Sequence, residues 1–434
     1  MTEPGWFNSV LTAARPQAMA ALLRYFRDLD RAEEAFQEAC LRALRVWPRN
    51  GPPRDACSWL IMVGRNAGID GVRRESRQVP LPPEEVLSDL SDAESAIAER
   101  IDGAHYRDDI LRLLFVCCHP DLPTTQQIAL ALRIVSGLSV QQIARAFLVS
   151  EAAMEQRITR AKARIAAAAV SFEAPGAVER SERLGVVAAM IYLVFNEGYS
   201  TSVAESGARA PLCEEAIRLA RLLLGLFPTD SEIMGLTALL LLQHARAPAR
   251  FDATGNVVLL DDQDRSLWRQ PLIAEGLALI DKAIRHQRPG AYQVQAAIAA
   301  LHARARHARD TDWGQIEQLY GTLERMQPSP VVTLNRAVVV AKLHGPQAAL
   351  ELIAPLAPKL SGYFYYHGAR GTFLDQLGRR EEARAAFDRA IALANTAAEA
   401  AHIRQRLDQM AAGTNERKFS DTDVGTQTSR PSLA

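Results

Sequence analysis

Between Gly137 and Ile165 the chain reads as two short helices joined by a three-residue turn, and this pattern limits the possible folds more than any other stretch. Gly137-Leu138-Ser139 is a turn ending on a capping residue, and Ser139 with Gln142 three positions on has the capping-box spacing. The helix expected over 140–147 puts Ile143, Ala144 and Phe147 on one side. Leu148-Val149-Ser150 is a second turn, and Ser150 can cap the helix expected over 151–165. In that helix Met154, Ile158, Ala161 and Ile165 recur at spacings of 4, 3 and 4, a one-sided apolar stripe. Gln156, Arg157, Thr159, Arg160, Lys162 and Arg164 are left for the other faces. A helix pair whose second member is basic on its exposed side fits a DNA major groove. Arg and Gln there can pair with base edges, and the basic groups with phosphates. An ordinary helical hairpin with solvated arginines is the bland alternative.

A second informative stretch lies near the start. Asp28 to Glu38 begins a helix, with Asp30 and Glu33 spaced as a capping pair. Phe36, Ala39 and Ala43 share one face, while Glu34, Gln37, Glu38 and Leu41 form a mixed acidic and apolar face opposite. A Pro-rich loop from Trp47 to Asp55 follows and carries Arg49 and Arg54. It leads into an amphipathic helix from Trp59 whose end is strongly basic. Arg65, Asn66, Arg73, Arg74 and Arg77 could track a nucleic-acid backbone there.

The 434 residues suggest two to four domains at roughly 100–200 residues each. Abundant Ala, Leu, Arg and Glu with few aromatics favour helix, so the expected class is all-α. Five zones are expected: a helical bundle at 8–78, a Pro-rich then acidic linker at 79–104, the helix-turn-helix part at 105–170, a long helical extension at 180–412, and a tail at 413–434 without apolar periodicity. Within the extension, Gly371, Gly378, Ala383, Phe387 and Ala390 fall at tetratricopeptide spacing. Stepping back by the 34-residue period from Gly371 and Ala383 reaches Ala337 and Ala349, both small as the repeat needs.

Net charge is zero, so basic groups matter only locally. The first residues lack the pattern of a signal peptide, and the apolar run 216–242 is too polar and too broken by Pro228 for a membrane span. The five cysteines read as reduced thiols of a cytoplasmic protein. Cys117-Cys118-His119 has no second ligand pair to close a site, so neither metal nor cofactor is expected. The runs 195–199 (FNEGY) and 261–265 (DDQDR) hold clustered polar groups without a nucleophile–base pair, and a structural role is expected for both.

Taken in order, DLDRAEEAFQEACLRAL, a Trp-Pro loop, SWLIMVGRNAGIDGVRRESR, a linker, and GLSVQQIARAFLVSEAAMEQRITRAKARI resemble regions two and four of extracytoplasmic-function (ECF) RNA polymerase sigma factors over about 8–168. Residues from about 180 to 410 resemble the helical extension of a subgroup, through IYLVFNEGYS, LLDDQDRSLWRQPLIAEGLALI and SPVVTLNRAVVVA. The resemblance implies docking of Asp30, Glu34, Gln37, Glu38 and Leu41 on the RNA polymerase core enzyme. It implies a loop over 47–59 that receives a base flipped from the minus-ten promoter element, at a cost of a few kcal/mol. Arg65, Asn66, Asp70, Arg73 and Arg74 would lie along the melted strand, and the helix at 151–165 would read the minus-thirty-five element of promoter DNA. Glu155 departs from the family, standing where a DNA-contacting Arg is common, and the minus-ten loop is unusually rich in Pro. The implied function is promoter-specific initiation without chemistry of its own, with a regulatory protein or ligand as a further partner on the extension and no membrane contact. The alternative is a stand-alone helix-turn-helix regulator with a ligand- or partner-sensing helical domain.

Overall fold

The computed structural model describes residues 5–51, 53–76, 103–147, 149–168, 177–199, 203–394 and 397–422. Every regular element among them is a helix, and the one extended pairing is an isolated bridge between Phe251 and Val257. The all-α class therefore holds. Of the linker expected at 79–104, residues 79–102 lie outside the described residues, and Gly103 and Ala104 already begin a helix. Two compact units result, one of Met1–Tyr199 with Ala208–Phe227, the other of Ser200–Gly207 with Pro228–Ala434.

The first unit opens with α1 (Gly5–Phe26), α2 (Leu29–Asn50) and α3 (Ala56–Ser76). Met19 and Leu22 of α1, Phe36, Ala39 and Ala43 of α2, and Leu60 and Val63 of α3 are buried in a common core. Gly64 and Gly68 let α3 cross its neighbours closely. A Cβ at Gly64 would stand 3.0 Å from the Ala35 carbonyl oxygen, and one at Gly68 would run into the Phe26 ring. Two sequence expectations need correction. The cap of α2 is Asp28, whose carboxylate accepts from the Arg31 amide at 2.9 Å, and Asp30 lies inside the first turn. Trp47, Pro48 and Arg49 belong to α2, not to a loop. Packing explains this: Trp47 is buried between Phe7 and Trp59, with ring centroids 5.5 and 5.3 Å away. That burial outweighs the local bias of Pro48 against helix. Gly51, at φ +79°, ends α2 by donating its amide to the Trp47 carbonyl, and Asp55 caps α3 through the Cys57 and Ser58 amides.

The same unit continues with α4 (Gly103–Cys117), α5 (Thr124–Ile134), α6 (Val140–Ala146), α7 (Glu151–Ala167), α8 (Ala177–Tyr199) and most of α9 (Val203–Leu226). The compact boundary at 227 thus lies well beyond the boundary expected near 180. The cause is that α8 packs on α4 and α5 through a strongly apolar face that includes Val187, Ile191 and Val194. Gly198 sits at the end of α8 and also serves a close crossing: a Cβ there would lie 2.8 Å from the Cys213 amide nitrogen of α9. Cys213 donates its thiol to the Phe195 carbonyl at 3.6 Å.

The second unit is a run of helices: α10 (Ser231–Ala245), α11 (Gln270–Arg285), α12 (Ala291–Arg304), α13 (Trp313–Met326), α14 (Pro330–His344), α15 (Pro346–Ile353), the short α16 (Ala357–Leu360), α17 (Phe364–Gln376), α18 (Arg380–Leu393) and α19 (Ala397–Thr422). The repeat spacing has a physical counterpart. In the α14–α15 hairpin Ala337 and Ala349 are fully buried, and in α17–α18 Ala383 and Ala390 are. A Cβ at Gly371 would lie 2.6 Å from the Phe387 ring. Gly345 and Gly378, both at positive φ, make the turns between the paired helices. The acidic run 261–265 is tied into the scaffold. Asp261 pairs with Lys342 at 2.7 Å, Asp264 accepts from the Ser266 amide, and Arg265 donates to the carbonyls of His302 and Ala305 while lying over the Trp268 ring. The last helix runs to Thr422, past the expected end at 412, because Glu416, Arg417 and Lys418 are good helix formers even without an apolar stripe. Residues 423–434 of the expected tail lie outside the described residues.

No helix among the described residues is long and apolar enough to cross a membrane. No group of three or more His, Cys, Asp or Glu among them is placed to hold a metal ion. Cys117 and Cys118 are buried in apolar surroundings, which push the Cys118 thiol up to about 12 and Cys117 well above its ordinary value.

Candidate nucleic-acid interface

The helix pair α6–α7 forms as its caps require. Ser139 and Gln142 make a reciprocal capping box, the Gln142 amide donating to the Ser139 hydroxyl at 3.1 Å and the Ser139 amide to the Gln142 side chain at 2.8 Å. Ser150 caps α7 by accepting from the Ala153 amide at 3.2 Å. Met154, Ile158, Ala161 and Ile165 are the buried residues of α7.

With about 100° between successive residues, that stripe fixes the direction of every other side chain of α7. Gln156, Thr159 and Arg160 stand opposite it, close together and exposed. Arg157 and Arg164 lie on one flank, Arg157 half-buried and Arg164 exposed. Lys162 and Glu155 lie on the other flank. The expected DNA-facing set is therefore split: Gln156, Thr159 and Arg160 project outward, Arg157 lies on a flank, and Lys162 is turned back toward α2. Its ammonium donates to Asp30 at 2.6 Å and to Glu33 at 2.8 Å. Burial alone would lower the Lys162 pKa, but the two hydrogen-bonded carboxylates outweigh it and hold the group above its ordinary value.

On α2, Glu34, Gln37 and Leu41 are exposed and Glu38 is half-buried. Arg42 bonds Glu38 at 3.3 Å, and Gln37 donates to Glu33 at the same distance. Leu41 is 51% exposed, and Leu44, three residues on and 37% exposed, extends it into an apolar ridge beside the acidic groups. Asp30 is exposed but engaged by Lys162.

The basic groups of the α2–α3 hairpin are accessible. Arg49 at the end of α2, Arg54 in the 51–55 loop, and Arg65 and Asn66 on α3 are all exposed. The Arg65 guanidinium lies 4.4 Å from the centre of the Tyr25 ring, which is itself exposed, giving a cation beside an open aromatic face. Such a pair suits stacking on an unpaired base. Arg73 and Arg74 belong to α3, while their side chains and those of Asp70 and Arg77 lie outside the described residues.

Glu33, read from sequence only as a capping partner of Asp30, organises this surface together with Arg133 and Arg15, which the sequence did not single out. Glu33 is buried and receives Lys162 and, at 2.8 Å, Arg133. Arg15 of α1 donates to the carbonyls of Ile134 and Arg133 at 3.0 and 3.1 Å, capping the C-terminal end of α5, where a cation suits the helix dipole. Glu33 carried a visible signal: it shares the face of Leu29 and Phe36, and a carboxylate inside an apolar stripe implies a buried ionic partner.

Residues 10–78 match the family model described as Sigma-70 region 2, and 112–165 match Sigma-70, region 4. Residues 183–284 match a family of unknown function, DUF6596. An uncharacterized protein of Rhizobium meliloti (strain 1021) is 71% identical over 412 residues, covering 95% of this chain and 97% of its own length. The acidic and apolar ridge of α2, the basic hairpin and the capped helix pair fall inside the two sigma segments in that order, and the chain belongs to the sigma-70 factors, with region 2, region 4 and a C-terminal DUF6596 extension.

Proposed function

We propose that this sigma factor is of the ECF type and that its extension is a regulatory module, not an enzyme. Regions 2 and 4 joined by a short linker are the arrangement on which the ECF resemblance rests. Core polymerase docks on the α2 face of Glu34, Gln37, Glu38 and Leu41, with Asp30 at its edge. Gln156, Thr159 and Arg160 read minus-thirty-five base edges, flanked by Arg157 and Lys162 for phosphates. Arg49, Arg54, Arg65, Asn66, Arg73 and Arg74 follow the minus-ten region. The observation that carries this reading is the presence, in one compact unit, of an outward Gln156–Thr159–Arg160 face and an acidic and apolar ridge on α2. The helical hairpins of the extension support a regulatory role, since stacked hairpins build extended protein-binding surfaces. A protein working on polymerase and promoter DNA belongs in the cytoplasm. Replacing Glu34 and Glu38 together by Arg is expected to abolish co-purification with core polymerase while the circular dichroism spectrum stays helical. Undiminished polymerase binding by the folded double variant would remove the docking assignment.

A further inference from the structure

The loop between α10 and α11 folds back on the C-terminal end of α12 and buries polar groups there without partners. Arg265 lies over the Trp268 ring, 4.9 Å from its centre, and donates Nη1 to the carbonyls of His302 and Ala305, both at 2.6 Å. Its Nη2 is buried and has no hydrogen-bond partner. The same holds for the Trp268 indole nitrogen, the Thr311 hydroxyl, His302 Nδ1 and the Gln263 side-chain oxygen. Trp268 and Thr311 are only 3% and 6% exposed. These groups share one neighbourhood, since the turns at 260–262 and 308–310 pack on each other and Arg265 lies close to both Asp261 and Asp310. Most buried polar side-chain atoms in folded proteins are bonded, so five around one guanidinium require a physical cause.

The set is rich in donors and its field is positive. Arg265 Nη2, the indole N–H and the Thr311 hydroxyl all offer hydrogens. The His302 ring is neutral, because burial, then Arg246 and Arg265, push its pKa down to about 4. The nearby Asp261 already answers Lys342 at 2.7 Å, and Asp310 stands beside Arg309 at 3.8 Å. Water would meet the hydrogen bonds but not the charge, whereas an oxygen anion meets both. We propose that the 261–268 loop and the end of α12 form a binding site for the carboxylate or phosphate group of a small molecule. Arg265, Trp268 and Thr311 hold the anion, and the Gln263 oxygen, an acceptor, suits a hydroxyl or amine on the same ligand. Entry requires the loop to lift. Asp261, Asp262, Asp264, Ser266 and Leu267 are exposed, and the Lys342–Asp261 pair that pins the rim is exposed too, so it holds the loop only weakly. The site gives the regulatory reading of the extension a ligand, and rests on that reading only for the effect of binding on transcription.

Thermal unfolding and calorimetric titration of the full chain test this, with inorganic phosphate and succinate as probes and chloride at matched ionic strength as the control. Phosphate or succinate should raise the melting temperature saturably while chloride does not, and the more effective probe names the anion class. Thr311→Val keeps the side-chain shape and removes one unpaired hydroxyl. Without anion it should melt slightly above the parent, because a buried unpaired donor destabilises, and it should bind the anion roughly tenfold more weakly. Arg265→Met should abolish the response. That variant also loses two carbonyl contacts to α12, so circular dichroism checks its fold, and Thr311→Val decides the matter if it does not fold. No saturable response to either probe, or an equal response to chloride, overturns the site. An anion response of parental strength in the folded variants overturns its location. A Thr311→Val protein that melts below the parent without anion marks the hydroxyl as satisfied by water and also overturns it. Saturable binding that leaves promoter-directed transcription by core polymerase unchanged upholds the site and counts against the regulatory reading.

Discussion

At the scale of single residues, the outward face of α7 is small. Arg160 is exposed on it beside Gln156 and Thr159. Arg160→Ala should weaken transcription from a cognate promoter by the equivalent of about 1–3 kcal/mol and relax base preference at one minus-thirty-five position. Full activity with every base preference unaltered would exclude a base contact. A second residue-scale prediction concerns His302 in the extension. Burial, with Arg246 and Arg265 nearby, lowers its pKa from 6.5 to about 4. A histidine with a depressed folded pKa stabilises the fold above its unfolded pKa, and that contribution is lost as pH falls through 6.5 toward 4. The melting temperature of the extension should therefore decline over that window, and His302→Phe should flatten the decline. An identical slope in the variant would rule out His302 as its source. The outward face of α7 was legible because a 4-3-4 stripe determines direction. That Lys162 faces a carboxylate pair was not, because a helical wheel shows which flank a lysine occupies and not what stands across from it.

At the scale of elements, caps and small residues carried most of the information. The Ser139–Gln142 box and the Ser150 cap are local, and the structure forms both as spacing implies. Trp47 and Pro48 show the opposite case. Their composition reads as loop, but an aromatic stack with Phe7 and Trp59 draws them into α2. A long-range contact of that kind leaves no periodic trace in sequence. The hairpins of the extension lie between these cases. Small residues one repeat apart mark where helices touch, and at Gly371 a Cβ would meet the Phe387 ring at 2.6 Å. Gly371→Val should force the Phe387 ring from its place and cost about 1–3 kcal/mol, as overpacked cores do. Urea unfolding of the extension would measure it, and a midpoint equal to that of the parent would mean the two helices can separate freely.

At the scale of the whole molecule, the unit that folds with the sigma regions reaches to Phe227, because α8 covers apolar surface of α4 and α5. The sequence shows helix from about 180 onward without showing what it packs against, so α8 and α9 read as part of the extension. A fragment ending after Phe227 should unfold in one cooperative transition, while one ending after Val170 should be markedly less stable and bind a hydrophobic dye. Equal stability of the two would return the boundary to 170. Regions 2 and 4 were visible from two motifs in order, and the α-class from composition, whereas the seam between the regions depends on single ionic contacts across about a hundred residues of chain, such as Glu33 with Arg133. The central claim, that this chain gives core polymerase its promoter choice, is tested most directly by transcription in vitro with purified core polymerase and genomic DNA fragments. The account predicts transcripts from a defined set of promoters only when the full chain is added, and none with the Glu34→Arg, Glu38→Arg variant. Specific duplex binding by the chain alone, with no promoter-directed transcript under any condition, would contradict it.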